Sequence, residues 1–298
     1  MHRQTRAYIS AITAVLFWST AASAFKLTLR HVDFIRMLLG ASIVSFLFLF
    51  GAVTVRKKLY LLRTFSRKEY FFSLFLGFLN PFLYYIILFK AYSLLTAQEA
   101  LVLNYTWPAM LVILSVPLLK QPITLQSVIA FLISFSGVFI VAIGSDSACI
   151  RFANPLGVVL ALSSAVVWAL YWIFNVRDRR DEVVKLFLNF FFGCGFVLAA
   201  IPFFSNLNMP DTAGLLGVTY IGLFEMGITF VLWLKALQLS KTSAQVSIFV
   251  YASPFLSLIL IHFIVGEAIS ISTIIGLLCI ITGILVQHGN LRSPDAGV

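Results

Sequence analysis

The chain has 298 residues, 61% hydrophobic and 11% charged, with a formal net charge of +10 and a mean hydropathy of +1.01. Soluble domains are about half apolar and roughly a quarter charged. This composition therefore excludes a water-soluble globule, because so little charge cannot cover its surface. The apolar residues fall in runs of about 20, the length that crosses a bilayer. Those runs are too long and too little alternating for barrel strands, and a helix satisfies its own backbone in lipid. The expected class is an all-α integral membrane protein.

Ten spans are expected, at roughly 8–29, 33–53, 70–89, 97–118, 124–144, 155–176, 184–204, 213–234, 242–263 and 271–288. The run after Arg6 is long enough to span and leads into further spans, so no cleaved leader is expected. The basic residues sit in short loops, which argues for topology and against nucleic acid as the meaning of the charge. With the N-terminus inside, 16 of the 21 Lys and Arg lie on the inner side. Only Lys26, Arg30, Arg36, Lys90 and Arg151 lie outside. The positive-inside rule then places both termini in the cytoplasm.

The stretch Ala97–Gly137 recurs, diverged, as Ser243–Gly283 at an offset of 146. Tyr105 falls on Tyr251, Pro108 on Pro254 and Gly137 on Gly283. At an offset of 145, Gly77 and Lys90-Ala91 fall on Gly222 and Lys235-Ala236, and Trp18 falls on Trp168 at 150. The halves are thus residues 1–148 and 149–298, five spans each. Five is odd, so the second half enters the membrane the other way up. Inverted repeats are the mark of secondary transporters, whose sites lie near the midplane between the halves.

Mid-span polar groups are costly in lipid and so are candidates for function. Glu225 is the acidic residue nearest a span centre, and its repeat counterpart is Asn80. A carboxylate there suits a cationic or hydrogen-bond-donating group, or carries a proton; alternatively it is a neutral structural contact. Pro108 and Pro254 are expected in mid-helix, where each frees a backbone carbonyl; matched kinks suggest paired hinges. Tyr and Trp ordinarily gather at the interfaces, yet Trp18, Tyr84, Tyr85, Tyr105, Trp107, Trp168, Tyr171, Trp172 and Tyr251 lie near mid-span. Asn80 with Tyr84, Asn104 with Trp107, and Trp168 with Trp172 share helix faces by their spacing. A cavity bounded by Asn80, Tyr84, Tyr105, Trp107, Trp168, Glu225 and Tyr251 is expected, suited to a flat apolar solute with a few polar groups. His262 reads as interfacial, and Gly40, Gly77, Gly137, Gly157 and Gly283 as close helix contacts. Cys149, Cys194 and Cys279 lack any metal or disulfide pattern and read as packed thiols.

These features together, with LFWSTAASAFK in the first span, LFKAYSLLTAQEALVLNYTWP across the third and fourth, and the glycine-bearing last helix, resemble the drug/metabolite transporter superfamily. Within it the chain is similar to EamA-type exporters, above all those for aromatic amino acids. The resemblance implies an inner-membrane carrier that exports amino acids and related metabolites by alternating access, with Tyr84, Trp107 and Trp168 lining its central cavity. The expected substrates are aromatic amino acids, then Thr and Met. The expected partner is the lipid bilayer, and the chain is expected to act as a monomer. A broader drug, metabolite or nucleoside exporter of the same fold, or a channel-like facilitator, is the alternative. No enzyme is expected, since no metal-ligand cluster, catalytic triad or nucleotide loop is present in the sequence; no cofactor and no metal are expected.

Overall fold

The computed structural model describes residues 3–119, 125–143, 154–205, 209–240, 246 and 248–289. All regular structure among them is helical. Six helices are long and apolar enough to cross a membrane: α1 (Arg3–Thr28), α2 (Phe34–Val55), α3 (Arg67–Leu94), α6 (Pro155–Asn175, running on to Arg177), α7 (Glu182–Phe204) and α8 (Thr212–Leu239). Two others are uninterrupted but shorter in their apolar part, α5 (Leu125–Ile143) and α10 (Ile271–Gly289). The remaining two are broken. α4 comes as Ala97–Asn104 and Trp107–Leu119, and α9 as a tight turn Ile248–Ala252, then Ser253–Leu260 and Ile261–Val265. These account for the ten expected spans of a multi-pass membrane protein.

Helix starts are set locally. Asp33, Asn154, Asp181 and Asp211 each accept hydrogen bonds from the first turn that follows them. Ser66 with Glu69, and Thr96 with Glu99, form reciprocal capping boxes. Such residues satisfy donors that would otherwise be left bare at the helix ends.

The prolines are not where the sequence places them. Pro108 is the second residue of Trp107–Leu119, and Pro254 the second of Ser253–Leu260. In a first turn the missing N–H costs nothing, because that donor has no intrahelical partner. Each proline therefore starts a helix half after a break, and does not kink a continuous helix. The breaks fall at equivalent places in the two halves, at Tyr105-Thr106 and at Ile248–Ala252. α3 and α8 are likewise interrupted at equivalent places, by wide turns at Phe78–Leu83 and Ile221–Ile228.

The packing has the reciprocity of a two-fold axis between inverted halves. α1 packs on α8 and α9, as α6 packs on α3 and α4; α2 packs on α7 and α8, as α7 packs on α2 and α3; α5 packs on α10. Glycines allow the closest crossings. A β-carbon at Gly137 would stand 2.5 Å from the Gly276 carbonyl, and one at Gly283 would stand 2.5 Å from the Ala130 carbonyl. Gly276 and Ala130 are themselves repeat equivalents. Gly77 meets the Asn189 carbonyl and Gly222 the Ala41 carbonyl in the same way.

Cys194 and Cys279 are free, half-buried thiols, and Cys149 lies outside the described residues. His262 is exposed, with its ring nitrogen 3.1 Å from the Glu267 carbonyl oxygen.

Candidate functional site: a ring-lined central cavity

A cavity of about 470 Å³ lies between α1, α3, α4, α6, α8 and α9. Of the expected residues, Tyr84, Tyr105, Trp107, Trp168 and Glu225 line it. Trp168 is its centrepiece. Its ring stacks on Tyr84 at 4.5 Å and 28°, and meets Trp172 and Phe230 edge-on at 5.7 and 5.8 Å. Trp18 and Trp233 form a second ring pair at 5.4 Å.

The polar groups are few. Glu225 is 8% exposed; its Oε1 accepts from the Tyr85 hydroxyl at 3.2 Å, and its Oε2 has no partner among the described residues. The Tyr84 hydroxyl donates to Asn104 Oδ1 at 3.4 Å, Asn104 Nδ2 donates to the Ser164 hydroxyl at 2.9 Å, and that hydroxyl donates to the Ala161 carbonyl. The Tyr105 hydroxyl donates to the Val250 carbonyl at 3.2 Å, joining the breaks of α4 and α9. Glu225 lies within the wide turn of α8, where the usual backbone ladder is interrupted.

Two expected residues fall outside the lining. Asn80 leaves the helical region (φ −150°, ψ 121°), is fully buried, and faces the Tyr171 hydroxyl together with Asn175 and Asn189. That non-helical residue rotates its side chain away from the Tyr84 face, which spacing on an unbroken helix would have given it. Tyr251 is half-buried next to Val250, which does line the cavity. In the tight turn that starts α9, successive residues point to different sides, so only one of the two faces inward.

The lining also contains residues the expectation left out: Trp233, Tyr92, Phe25 and Arg177. Spacing would have found two of them. Tyr92 lies eight residues after Tyr84 with Leu88 between, and Trp233 eight after Glu225, so each continues an inward face.

The two ends of the cavity differ. At the Lys26 end, Phe25 packs on Phe89 at 4.8 Å and on Tyr92 at 5.3 Å, and Phe25, Tyr92 and Leu95 are all buried. At the other end Trp107, Leu111 and Trp172 are partly exposed and Arg177 is exposed, one of its nitrogens donating to the Leu118 carbonyl at 2.7 Å. Beside that mouth Asp178 pairs with Arg180 at 2.6 Å. Burial alone would push the Asp178 carboxyl up, but hydrogen bonds and charge from Arg180 outweigh it and hold it below its ordinary value. Among the described residues, then, the lining is shut at the Lys26 end and reaches solvent at the Arg177 end.

A sequence model of the EamA-like transporter family matches residues 5–143 and again residues 155–287. The chain belongs to the EamA-like transporter family. This is a family of the drug/metabolite transporter superfamily, and its members are transporters, not enzymes. The EamA chain is 30% identical over 207 residues to an uncharacterized transporter in the sor 3′ region of Acidianus ambivalens, covering 67% of this chain and 78% of that one. It is 27% identical to the uncharacterized transporter YetK of Bacillus subtilis, covering 99% of this chain and 90% of that one. A crystal structure superimposes with a TM-score of 0.68 over 97% of this chain and 99% of its own, at 22% identity, a likeness of fold. An EamA transporter of this architecture has a small-molecule substrate, and among the described residues this cavity offers room for one.

Proposed function

We propose that this EamA transporter exports aromatic amino acids, chiefly Phe, Trp and Tyr, with Thr, Met and related metabolites as lesser substrates. This extends the sequence resemblance to the bacterial aromatic amino-acid exporter YddG. The observation that carries the reading is a cavity walled by indole and phenol rings that also holds a carboxylate with one oxygen unpartnered. Its volume lies within the usual range for small-molecule sites, about 300–1,000 Å³. Offset-stacked rings add about 0.5–1.5 kcal/mol to the burial of an aromatic solute. Glu225 accepts the substrate ammonium, while Asn104 and the Tyr84 and Tyr105 hydroxyls are the nearest polar groups for its other end.

In this reading the halves 1–148 and 149–298 rock against each other as a monomer in the inner membrane, both termini cytoplasmic. The breaks before Pro108 and Pro254 act as paired hinges, and Asn80 and Tyr251 act from behind the wall. An alkaline phosphatase fused after Val298 is expected to be inactive; strong periplasmic activity overturns the orientation.

A second reading is favoured by one observation. Among the described residues lining the cavity, Arg177 is the one basic side chain, and it stands exposed at the mouth. A substrate without a carboxylate, such as an aromatic amine within a broader drug or metabolite range, needs no cation at the floor. Counterflow in proteoliposomes decides between them, with labelled Phe, Trp, Tyr, Thr and Met against phenethylamine and tryptamine, with and without a pH gradient. Transport of the amino acids above the amines supports the first reading. Transport of the amines alone overturns it, and flux without saturation or counterflow points to a channel.

A further inference from the structure

We propose that Glu267 is the latch that holds the Lys26 end of the cavity shut. It sits in the turn between α9 and α10, in the second half of the chain. Its carboxylate crosses to the first half and takes both leading N–H groups of α4: Ala97 N donates to Oε1 at 2.9 Å and Gln98 N to Oε2 at 3.3 Å. Gln98 answers with two bonds in the other direction. Its Nε2 donates to the Ala268 carbonyl at 2.8 Å, and its Oε1 accepts from Ser270 N at 3.0 Å. The Lys26 ammonium, at the end of α1, donates to the carbonyls of Tyr92 and Leu95 at the end of α3 and lies in the field of both Glu267 and Glu99. One clasp thus ties α1, α3, α4 and the α9–α10 turn directly over the Phe25–Tyr92 closure.

The capping box of Thr96 and Glu99 satisfies the N–H groups of those two residues and leaves the buried Ala97 and Gln98 N–H groups to Glu267. What the distant carboxylate adds is a bond between halves, and bonds to a charged group are the strong ones.

The clasp is also asymmetric. The repeat offsets place Gln121 opposite Glu267, Ala244 opposite Gln98 and Val176 opposite Lys26. In a carrier built from inverted repeats, the two access states exchange the roles of the two ends. Glu267 adds at the Lys26 end a charged tie whose sequence counterparts are uncharged, beside the ties of the Arg177 end, Arg177 to the Leu118 carbonyl and Lys58 to Asp181, and that addition favours closure at the Lys26 end.

The test reads distances and needs no substrate, so it stands apart from the question of what is carried. In a background with Cys149, Cys194 and Cys279 replaced by alanine, spin labels go on Ser93 and Ile271, exposed positions flanking the clasp. A second protein carries them on Gln238 and Leu125, the exposed repeat equivalents at the other end. In nanodiscs, Glu267→Gln and Glu267→Ala are expected to raise the ratio of long to short Ser93–Ile271 separations about tenfold, the loss of roughly one charge-assisted bond, and Gln98→Ala to raise it about fivefold through the loss of its two neutral side-chain bonds. The Gln238–Leu125 pair is expected to shorten in step. Unchanged distributions at both pairs, in variants that remain folded and monodisperse, overturn the proposal. So does lengthening of the first pair alone, since Glu267 would then only hold a local turn in place.

Discussion

Replacing Glu225 by glutamine separates the two roles open to this residue. The shapes are nearly the same, and the glutamine carbonyl still accepts from Tyr85, whose hydroxyl now reaches Oε1 at 3.2 Å. Folding should therefore change little. What disappears is the charge that the carboxylate, its Oε2 without a partner among the described residues, would present to a bound ammonium. A hydrogen bond to a charged group is worth about 1.5–3 kcal/mol and one between neutral groups about 0.5–1.5 kcal/mol. An ammonium bound at Oε2 therefore loses about 1–1.5 kcal/mol, or roughly five- to tenfold in Kd. The assay is equilibrium binding to purified protein, comparing tryptophan and tryptamine with indole-3-propionate, which has the ring but no amine. The first two should weaken by that factor and the third should not. If Glu225→Gln leaves all three unchanged, or weakens all three equally, Glu225 is a structural contact and the ammonium site lies elsewhere.

Trp107 is half-buried on the cavity wall, so Trp107→Ala is expected to weaken binding of Trp and Phe about two- to tenfold while sparing Thr; equal losses in competition binding refute ring stacking as the source of selectivity. Trp168 is 7% exposed and supports four neighbouring rings, so Trp168→Ala is instead a stability probe, expected to cost about 3–5 kcal/mol, read as a lowered thermal midpoint. Pro108→Ala and Pro254→Ala are expected to slow transport at saturation more than they weaken binding, by letting the helix halves run on through their breaks; lower affinity with an unchanged rate means these prolines shape the site only. Gly283→Val puts a side chain against the Ala130 carbonyl and Ser134, and overpacking of that kind is expected to destabilise by about 1–3 kcal/mol, whereas the same change at Gly51, which meets nothing, is expected to be near neutral in a thermal melt.

How far the sequence reached depended on whether a feature was periodic or local. Spans follow from run length, and the repeat follows from offsets of 145 to 150 that hold wherever the helices are regular. The glycines at 77, 137 and 283 were legible as contacts because only a missing side chain allows two backbones so close. The cavity rings were legible in part: Trp168 and Trp172 share a face of an unbroken helix, as their spacing predicts. Reading stopped at the breaks. Asn80 and Glu225 are sequence equivalents in matching wide turns, yet only Glu225 lines the cavity, because the backbone at Asn80 leaves the helical region and turns its amide toward Tyr171. Pro108 and Pro254 looked like mid-helix kinks because composition shows no gap at Tyr105-Thr106 or within Ile248–Ala252.

By itself, then, the sequence determined that the chain must live in a membrane as helices and that its two halves are copies with opposite orientation. Burial of apolar runs and obligatory backbone hydrogen bonding leave no other solution in lipid. Only the tertiary structure decided which mid-span residues share one cavity, which end of it is closed, and that Glu267 reaches Ala97 across 170 positions of chain. Those outcomes turn on the few residues where the helices break, and a broken helix carries no period from which a side chain's direction can be read.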